Sequence, residues 1–155
     1  DKNSSLDAKN IDMTLSVMGS SLVYWSQDLY QNKLFNKGSQ IFSMTSAGGR
    51  KQWKSYGAVS MAKAALESAS RQLAIELAPD GIGVNAIQAG VTDTPALRKI
   101  PGNDQMIDFA TKHNPSGRLT TPDDIAEYIC LLSQSNNSWL TGNVIRIDGG
   151  EDIIG

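Results

Sequence analysis

The chain has 155 residues, of which 40% are hydrophobic and 19% charged, with a formal net charge of −2. That composition belongs to a folded globular domain with one sizeable core and excludes a disordered chain. The small negative charge gives no electrostatic basis for binding nucleic acid or an anionic membrane surface, and no apolar run reaches the ~20 residues of a membrane span.

The amino terminus, Asp1-Lys2-Asn3-Ser4-Ser5, has neither an initiator Met nor a signal-peptide pattern, and reads as a processed or truncated start. Residues 12–34 read as a helix. Met18, Leu22, Trp25 and Leu29 recur at helical spacing, and Leu15, Val23, Tyr24 and Tyr30 widen the apolar coverage to two sides expected to be buried. Gly38 breaks the chain before a short strand at 40–44, and Thr45 to Arg50 reads as a polar, glycine-bearing loop at the strand's carboxyl end.

A second helix spans about 55–78, with Val59, Ala62, Leu66, Ala69, Leu73 and Leu77 in the three-four rhythm and Pro79-Asp80-Gly81 stopping it. A second strand covers 83–87. The segment 91–121 is irregular, with a helical stretch near 103–113. Thr121-Pro122-Asp123-Asp124 opens a further helix: a hydroxyl cap, proline at the first helical position, then two acids at the positive end of the macrodipole. That helix ends near Ser133, and a third strand at 143–147 is closed by Asp148-Gly149-Gly150. The single Cys130 excludes an internal disulfide, fits a reducing, cytoplasmic setting, and within Ile129-Cys130-Leu131-Leu132 reads as a buried structural thiol.

Helices alternating with short apolar strands argue an α/β fold with a parallel sheet and helices on both faces. Right-handed crossovers then gather the strand carboxyl ends, and any ligand, on one rim.

The chemistry concentrates on Tyr56 and Lys63, a phenol and an ammonium two helical turns apart at the head of the 55–78 helix. Such a pair serves one reaction centre as an acid and the cation that tunes it, which points to nicotinamide-dependent reduction. Reducing a ketone needs a proton donor at the oxygen on the carbon that receives hydride. Reducing an enoyl thioester places the hydride on the β-carbon while negative charge gathers on the carbonyl oxygen two carbons away. A tyrosine one turn further from its lysine, displaced by ~4.5 Å along the helix, suits the second geometry. On that geometry Tyr56 is expected to hydrogen-bond the developing enolate oxygen.

Ser-Tyr56-Gly-Ala-Val-Ser-Met-Ala-Lys63-Ala-Ala-Leu, Gly81-Ile-Gly-Val-Asn-Ala and Leu140-Thr-Gly-Asn with Asp148-Gly-Gly together resemble the short-chain dehydrogenase/reductases. Most members of that family carry Tyr and Lys four apart, but here Val59 holds that position and Tyr56 lies seven before Lys63. That spacing resembles the enoyl-acyl-carrier-protein reductase branch. Gln88-Ala-Gly-Val-Thr-Asp-Thr94 and the segment from Pro95 to Arg118 resemble its NADPH-using type III form.

The resemblance implies a Rossmann-like doubly wound sheet and an NADPH- or NADH-dependent reduction of enoyl thioesters carried on acyl carrier protein or CoA, in fatty acid biosynthesis. It implies that Lys63 binds the nicotinamide ribose. It places Gly90, the backbone of Thr92 and the hydroxyl of Thr94 against the nicotinamide carboxamide and phosphates, although Thr94 also reads as a cap of the following turn. It implies a homodimer or homotetramer through helices 12–34 and 55–78. Ser46, ten before Tyr56, replaces the second tyrosine of the best-known enoyl reductases, and the type III form resembles this chain in having serine there. Two readings of Ser46, or of Thr45, stand: a group that orients substrate, or a plain loop hydroxyl. The helix asparagine that serves a proton relay in many members has no counterpart near Ser16 to Met18.

Other residues carry less. His113 reads as a surface-loop histidine, Asp123 and Asp124 as caps, and one His with one Cys makes no zinc site. Trp25, Trp53 and Trp139 are too scattered for a nucleic-acid platform. A glycine-rich phosphate turn after a leading strand is absent, since Gly48-Gly49 and Gly149-Gly150 open no such helix. The expectation is a single domain over 1–155 that forms the carboxyl-terminal portion of a Rossmann-type reductase, about three strands with flanking helices, without the adenosine-binding half. The strand at 40–44 then has a bare edge, apolar residues lie exposed, and the chain binds cofactor weakly and self-associates. The alternatives are a short-chain reductase acting on a carbonyl or alcohol, or a catalytically incomplete interaction module.

Overall fold

The computed structural model describes residues 7–154, so the amino-terminal residues Asp1 to Ser5 lie outside the described residues. Asp7 caps the first helix, α1 (Ala8–Leu15), by accepting from the Asn10 backbone N–H at 2.7 Å. A π-helical stretch, Ser16–Ser20, joins it to α2 (Ser21–Gln31) without a break. The helix expected over 12–34 thus begins earlier, at its cap, and ends earlier, where Lys33 turns to φ +57°. Gly19 sits inside the π stretch and is buried, because a Cβ there would lie 3.1 Å from the Ala62 carbonyl oxygen. The wider turn lets the two helix backbones approach at that point.

Strands β1 (Gln40–Ser46), β2 (Gly83–Ala89) and β3 (Val144–Ile147) form one parallel sheet in the order β1-β2-β3. Gln40 pairs with Gly83 and Ser46 with Ala89, while Ala86 pairs with Val144 and Ala89 with Ile147. The three strands and flanking helices make a Rossmann-like α/β fold. β1 is longer than the strand expected at 40–44. Thr45 and Ser46, read as loop, continue the ladder opposite Gln88 and Ala89. Central β2 is buried from Gly83 to Gln88, whereas β1 has a sheet partner on one side only among the described residues.

Helix α3 (Gly57–Leu77) lies on one face of the sheet and ends in a tight turn, Ala78–Asp80, followed by Gly81 at φ +70°. Leu73, Ala74 and Leu77 pack with Ile82 and Val84 into a core joined by Leu22, Phe35 and Ile41. Each buried leucine contributes about 1.5–3 kcal/mol. Toward the carboxyl end of β1 the contact between strand and helix becomes polar. Ser43 Oγ and Ser70 Oγ are 2.9 Å apart, and the Thr45 hydroxyl donates to Glu67 Oε1 at 2.7 Å, all four residues being buried. Two directional rungs fix where α3 sits on β1 more tightly than apolar packing alone does.

The two-sided burial expected for the first helix is not seen: among its residues in α1, the π stretch and α2, only Gly19 and Ser26 are buried. Its stripe of Met18, Leu22, Trp25 and Leu29 instead lines a groove of about 430 Å³ with Phe42, Met44 and Lys63, along the unpaired side of β1. The far side, with Met13 and Tyr24, faces solvent.

Helix α4 (Asn103–His113) buries only Ala110. Helix α5 (Pro122–Ser133) starts with a capping box between Thr121 and Asp124, and Arg118 donates to both Asp124 oxygens at 2.6 and 2.8 Å. Cys130 is exposed, contrary to the sequence reading. Four consecutive apolar residues cover more than one helical face, so Ile129 and Leu132 turn inward and Cys130 and Leu131 outward. No helix among the described residues is long and apolar enough to cross a membrane.

Candidate active site

The carboxyl ends of the strands align Ser46, Ala89 and Ile147 in one row, and the segments that follow them form a single rim, the ligand edge of a doubly wound sheet. Tyr56 reaches this rim through a strained turn. Ser55 holds φ +67°, a conformation that costs a residue with a side chain about 1–2 kcal/mol. It turns the chain so that Tyr56 becomes the first flanking residue of α3. The tyrosine ring lies flush against Gly48, where any Cβ would collide with it. The Ser60 hydroxyl donates to the Gly48 carbonyl at 2.5 Å, and the Ser60 N–H donates to the Tyr56 carbonyl at 2.8 Å. Ser60 therefore ties the glycine turn and the tyrosine to one point of α3. The phenol oxygen ends 3.3 Å from Ser46 Oγ.

Lys63 approaches the same strand two residues back, its Nζ donating to the Met44 carbonyl at 2.7 Å. The Ser39 carbonyl accepts from Gly83 N–H, and main-chain groups alternate in direction along a strand, so the Met44 carbonyl points away from β2 toward the groove. Burial lowers the pKa of Lys63, and the nearby charge of Glu67 acts in the opposite sense. Tyr56 and Lys63 are thus anchored on β1 about 7 Å apart, at residues 46 and 44.

The remaining predicted residues follow β2 on the same rim but turn toward their own segment. A Cβ at Gly90 would collide with the Thr120 hydroxyl and meet Glu151 and Asp148, so a bare Cα is required there by the protein's own packing. The Thr92 hydroxyl donates to the Gly90 carbonyl at 3.1 Å. The Thr94 hydroxyl accepts from Leu97 N–H at 3.1 Å, which is the capping role. Between them, Asp93 receives both arms of the Arg98 guanidinium at 2.6 Å, and Arg98 also reaches Asp104 at the start of α4. His113 is the last residue of α4 rather than part of a loop. Its ring stacks on Phe109 at 3.9 Å, and Phe109 in turn leans on Trp53, three residues before Tyr56, at 5.9 Å.

Sequence reasoning missed several residues that build this rim: Gly48, Ser60, Glu67 and the carboxylate of Asp152. The side chain of Asp152 is 1% exposed and collects Arg50, Lys51 and Arg146. Burial opposes its ionisation, but the polar groups of Gln88, Lys51 and Arg50 beside it and the charge of Arg50 bring its pKa down from 3.8 to about 2. The Gly48-Gly49 pair carried a signal, a tyrosine that needs room, which spacing alone did not show. Among the described residues no three His, Cys, Asp or Glu side chains converge as a metal site.

The donor set fits the nicotinamide end of a dinucleotide. Lys63 spends one of three N–H donors on Met44, and the Thr94 hydroxyl, which accepts from Leu97 N–H, keeps its own proton to give on the same rim.

Residues 2–151 match the family model described as enoyl-(acyl carrier protein) reductase. The chain belongs to that family. Among relatives of this enoyl reductase family chain, the NADH-dependent enoyl-acyl-carrier-protein reductase FabI of Aquifex aeolicus is 31% identical over 153 residues, 99% of this chain and 56% of the relative. The BbsD subunit of a hydroxy(phenyl)methylsuccinyl-CoA dehydrogenase of Thauera aromatica is 32% identical over 145 residues, 92% of this chain and 56% of the relative. The crystal structure of the Aquifex aeolicus enoyl reductase superposes with a TM-score of 0.87 at 29% identity, covering 97% of this chain and 58% of that structure. The chain spans about half the length of the relatives it matches.

Proposed function

We propose that this chain is the catalytic portion of a reductase that saturates the 2,3 double bond of enoyl thioesters carried on acyl carrier protein or CoA, in cytoplasmic fatty acid synthesis. The observation that carries the reading is the Tyr56 phenol held at Ser46 while the Lys63 ammonium sits two residues back on the same strand, with aliphatic Val59 in the position between. Bound NADH or NADPH supplies the hydride for the β-carbon. The Tyr56 O–H donates to the thioester carbonyl oxygen as negative charge gathers there, and the α-carbon of the resulting enolate takes its proton from solvent to complete the saturated thioester. The Ser46 hydroxyl holds the phenol in place. Lys63, Gly90, Thr92 and Thr94 are the residues that would hold the nicotinamide end, and the cation of Lys63 supports the polarised phenol. The unpaired side of β1 and the 56% coverage of the Aquifex relative support a larger protein in which further residues hold the adenosine end.

A second reading, oxidation or reduction at a hydroxyl-bearing or carbonyl carbon, is favoured by the BbsD relative, which matches 92% of the chain. Val59 weighs against it, having no proton to give.

The test is reduction of crotonyl against acetoacetyl thioesters by the full-length protein with NADH and with NADPH. The crotonyl thioester should be the substrate, and Tyr56→Phe should lower kcat by about 10²–10⁴. Turnover of the acetoacetyl thioester with crotonyl inert would overturn the assignment.

A further inference from the structure

Glu67 is 6% exposed, which is costly for a carboxylate unless something in the fold uses it. It lies one turn beyond Lys63 on α3. The Thr45 hydroxyl donates to its Oε1 at 2.7 Å, and Thr45 is itself 4% exposed. The same Oε1 lies 2.6 Å from where a Cβ on Gly49 would sit, so the carboxylate fills the space beneath the turn that follows β1. Thr45 is the residue between Met44, whose carbonyl holds Lys63, and Ser46, whose hydroxyl meets Tyr56. One buried carboxylate is therefore bonded to the middle of the three-residue stretch on which both chemical groups are anchored. The groups it faces are Thr45 from β1, Gly49 from the turn and, as the charged neighbour, Lys63 from its own helix.

We propose that Glu67 is the positioning residue of this site: through Thr45 and the Gly49 turn its carboxylate locks the end of β1 onto α3, and one turn beyond Lys63 on the same helix it sets a negative charge near the ammonium held at the Met44 carbonyl. The assignment of Glu67 rests on the reading of Tyr56 and Lys63 as the reacting pair. The two actions separate by substitution. Glu67→Gln keeps the shape and an acceptor for Thr45 but removes the charge. Thr45→Val keeps the charge but removes the hydrogen bond. Loss of a nearby negative charge disfavours the protonated lysine, so its titration moves to lower pH.

The experiment uses the full-length protein with isotopically labelled lysine, following the Lys63 side-chain resonance against pH, alongside the pH dependence of kcat on crotonyl thioester. Glu67→Gln should lower the Lys63 midpoint and carry the alkaline limb of kcat down with it. Thr45→Val should leave the midpoint in place and lower kcat, with KM for the cofactor unchanged. A Glu67→Gln midpoint equal to wild type would overturn the electrostatic role, and a Thr45→Val enzyme with wild-type kcat would overturn the anchoring role. The resonance needs no substrate. A wild-type protein inert toward crotonyl thioester therefore refutes the proposed reaction while the lysine midpoint still decides Glu67.

Discussion

Tyr56 owes its place to what Gly48 lacks. The tyrosine ring occupies the volume a Cβ would take, and Gly48 is not among the glycines with positive φ, so its requirement is space rather than backbone freedom. Gly48→Ala should therefore fold normally but push the phenol off Ser46. A displacement of about 1 Å at a reacting group costs on the order of a hundredfold in rate. We expect a loss of that size in kcat, with the melting temperature close to wild type. A variant with full activity would show that the ring position is not critical. The placement of Tyr56 and Lys63 at the head of one helix was legible in the sequence because spacing on a helix is a one-dimensional property. The role of Gly48 was not, because the contact joins a turn and a helix start that only the folded chain brings together. Glu67 was hidden for the same reason: a carboxylate among the alanines of α3 looks like a solvated residue until β1 is laid against it.

The elements were legible where local chemistry dictates them. The Thr121-Pro122-Asp123-Asp124 start of α5 and the Pro79-Asp80-Gly81 stop of α3 stand where cap and turn preferences put them. The π stretch at Ser16–Ser20 and the two polar residues that prolong β1 were not legible. The first is a response to Ala62 across the helix contact, and the second to Gln88, Ala89 and Glu67. Long-range polar contacts also tie the last turn, Glu151–Ile153, to the sheet, where Asp152 gathers Arg50, Lys51 and Arg146. Replacing Asp152 with Asn leaves three cations with a weaker acceptor and should cost about 1.5–3 kcal/mol in urea denaturation. The pH dependence follows from the direction of the shift. A carboxyl with pKa 3.8 unfolded and about 2 folded contributes stability that is complete above pH 4 and disappears as pH falls toward 2. The wild-type protein should lose stability through that window, and Asp152→Asn should flatten the slope. An unchanged slope would refute the hub.

Across the described residues, both edge strands, β1 and β3, pair on one side only, and one helix pair stands open. Met13, Val17 and Tyr24 on the first helix and Met61 and Ile75 on α3 are each more than half exposed, at 58, 65, 59, 51 and 71%. Apolar side chains at that density on two packed helices mark a contact surface. The protein should sediment as a dimer or tetramer, and Tyr24→Lys with Ile75→Lys should move it toward monomer. A wild-type monomer at micromolar concentration in the ultracentrifuge would contradict this.

Helix α5 is fastened chiefly at its start, by the Thr121–Asp124 box, the Arg118 fork and Ile125, the one buried residue along its length. A rod pinned at one end peels from the other. The turn around Leu131 to Ser133 should thus yield on warming before the start of α5 does, and it opens without disturbing the rim, where the end of β1 remains bound to α3.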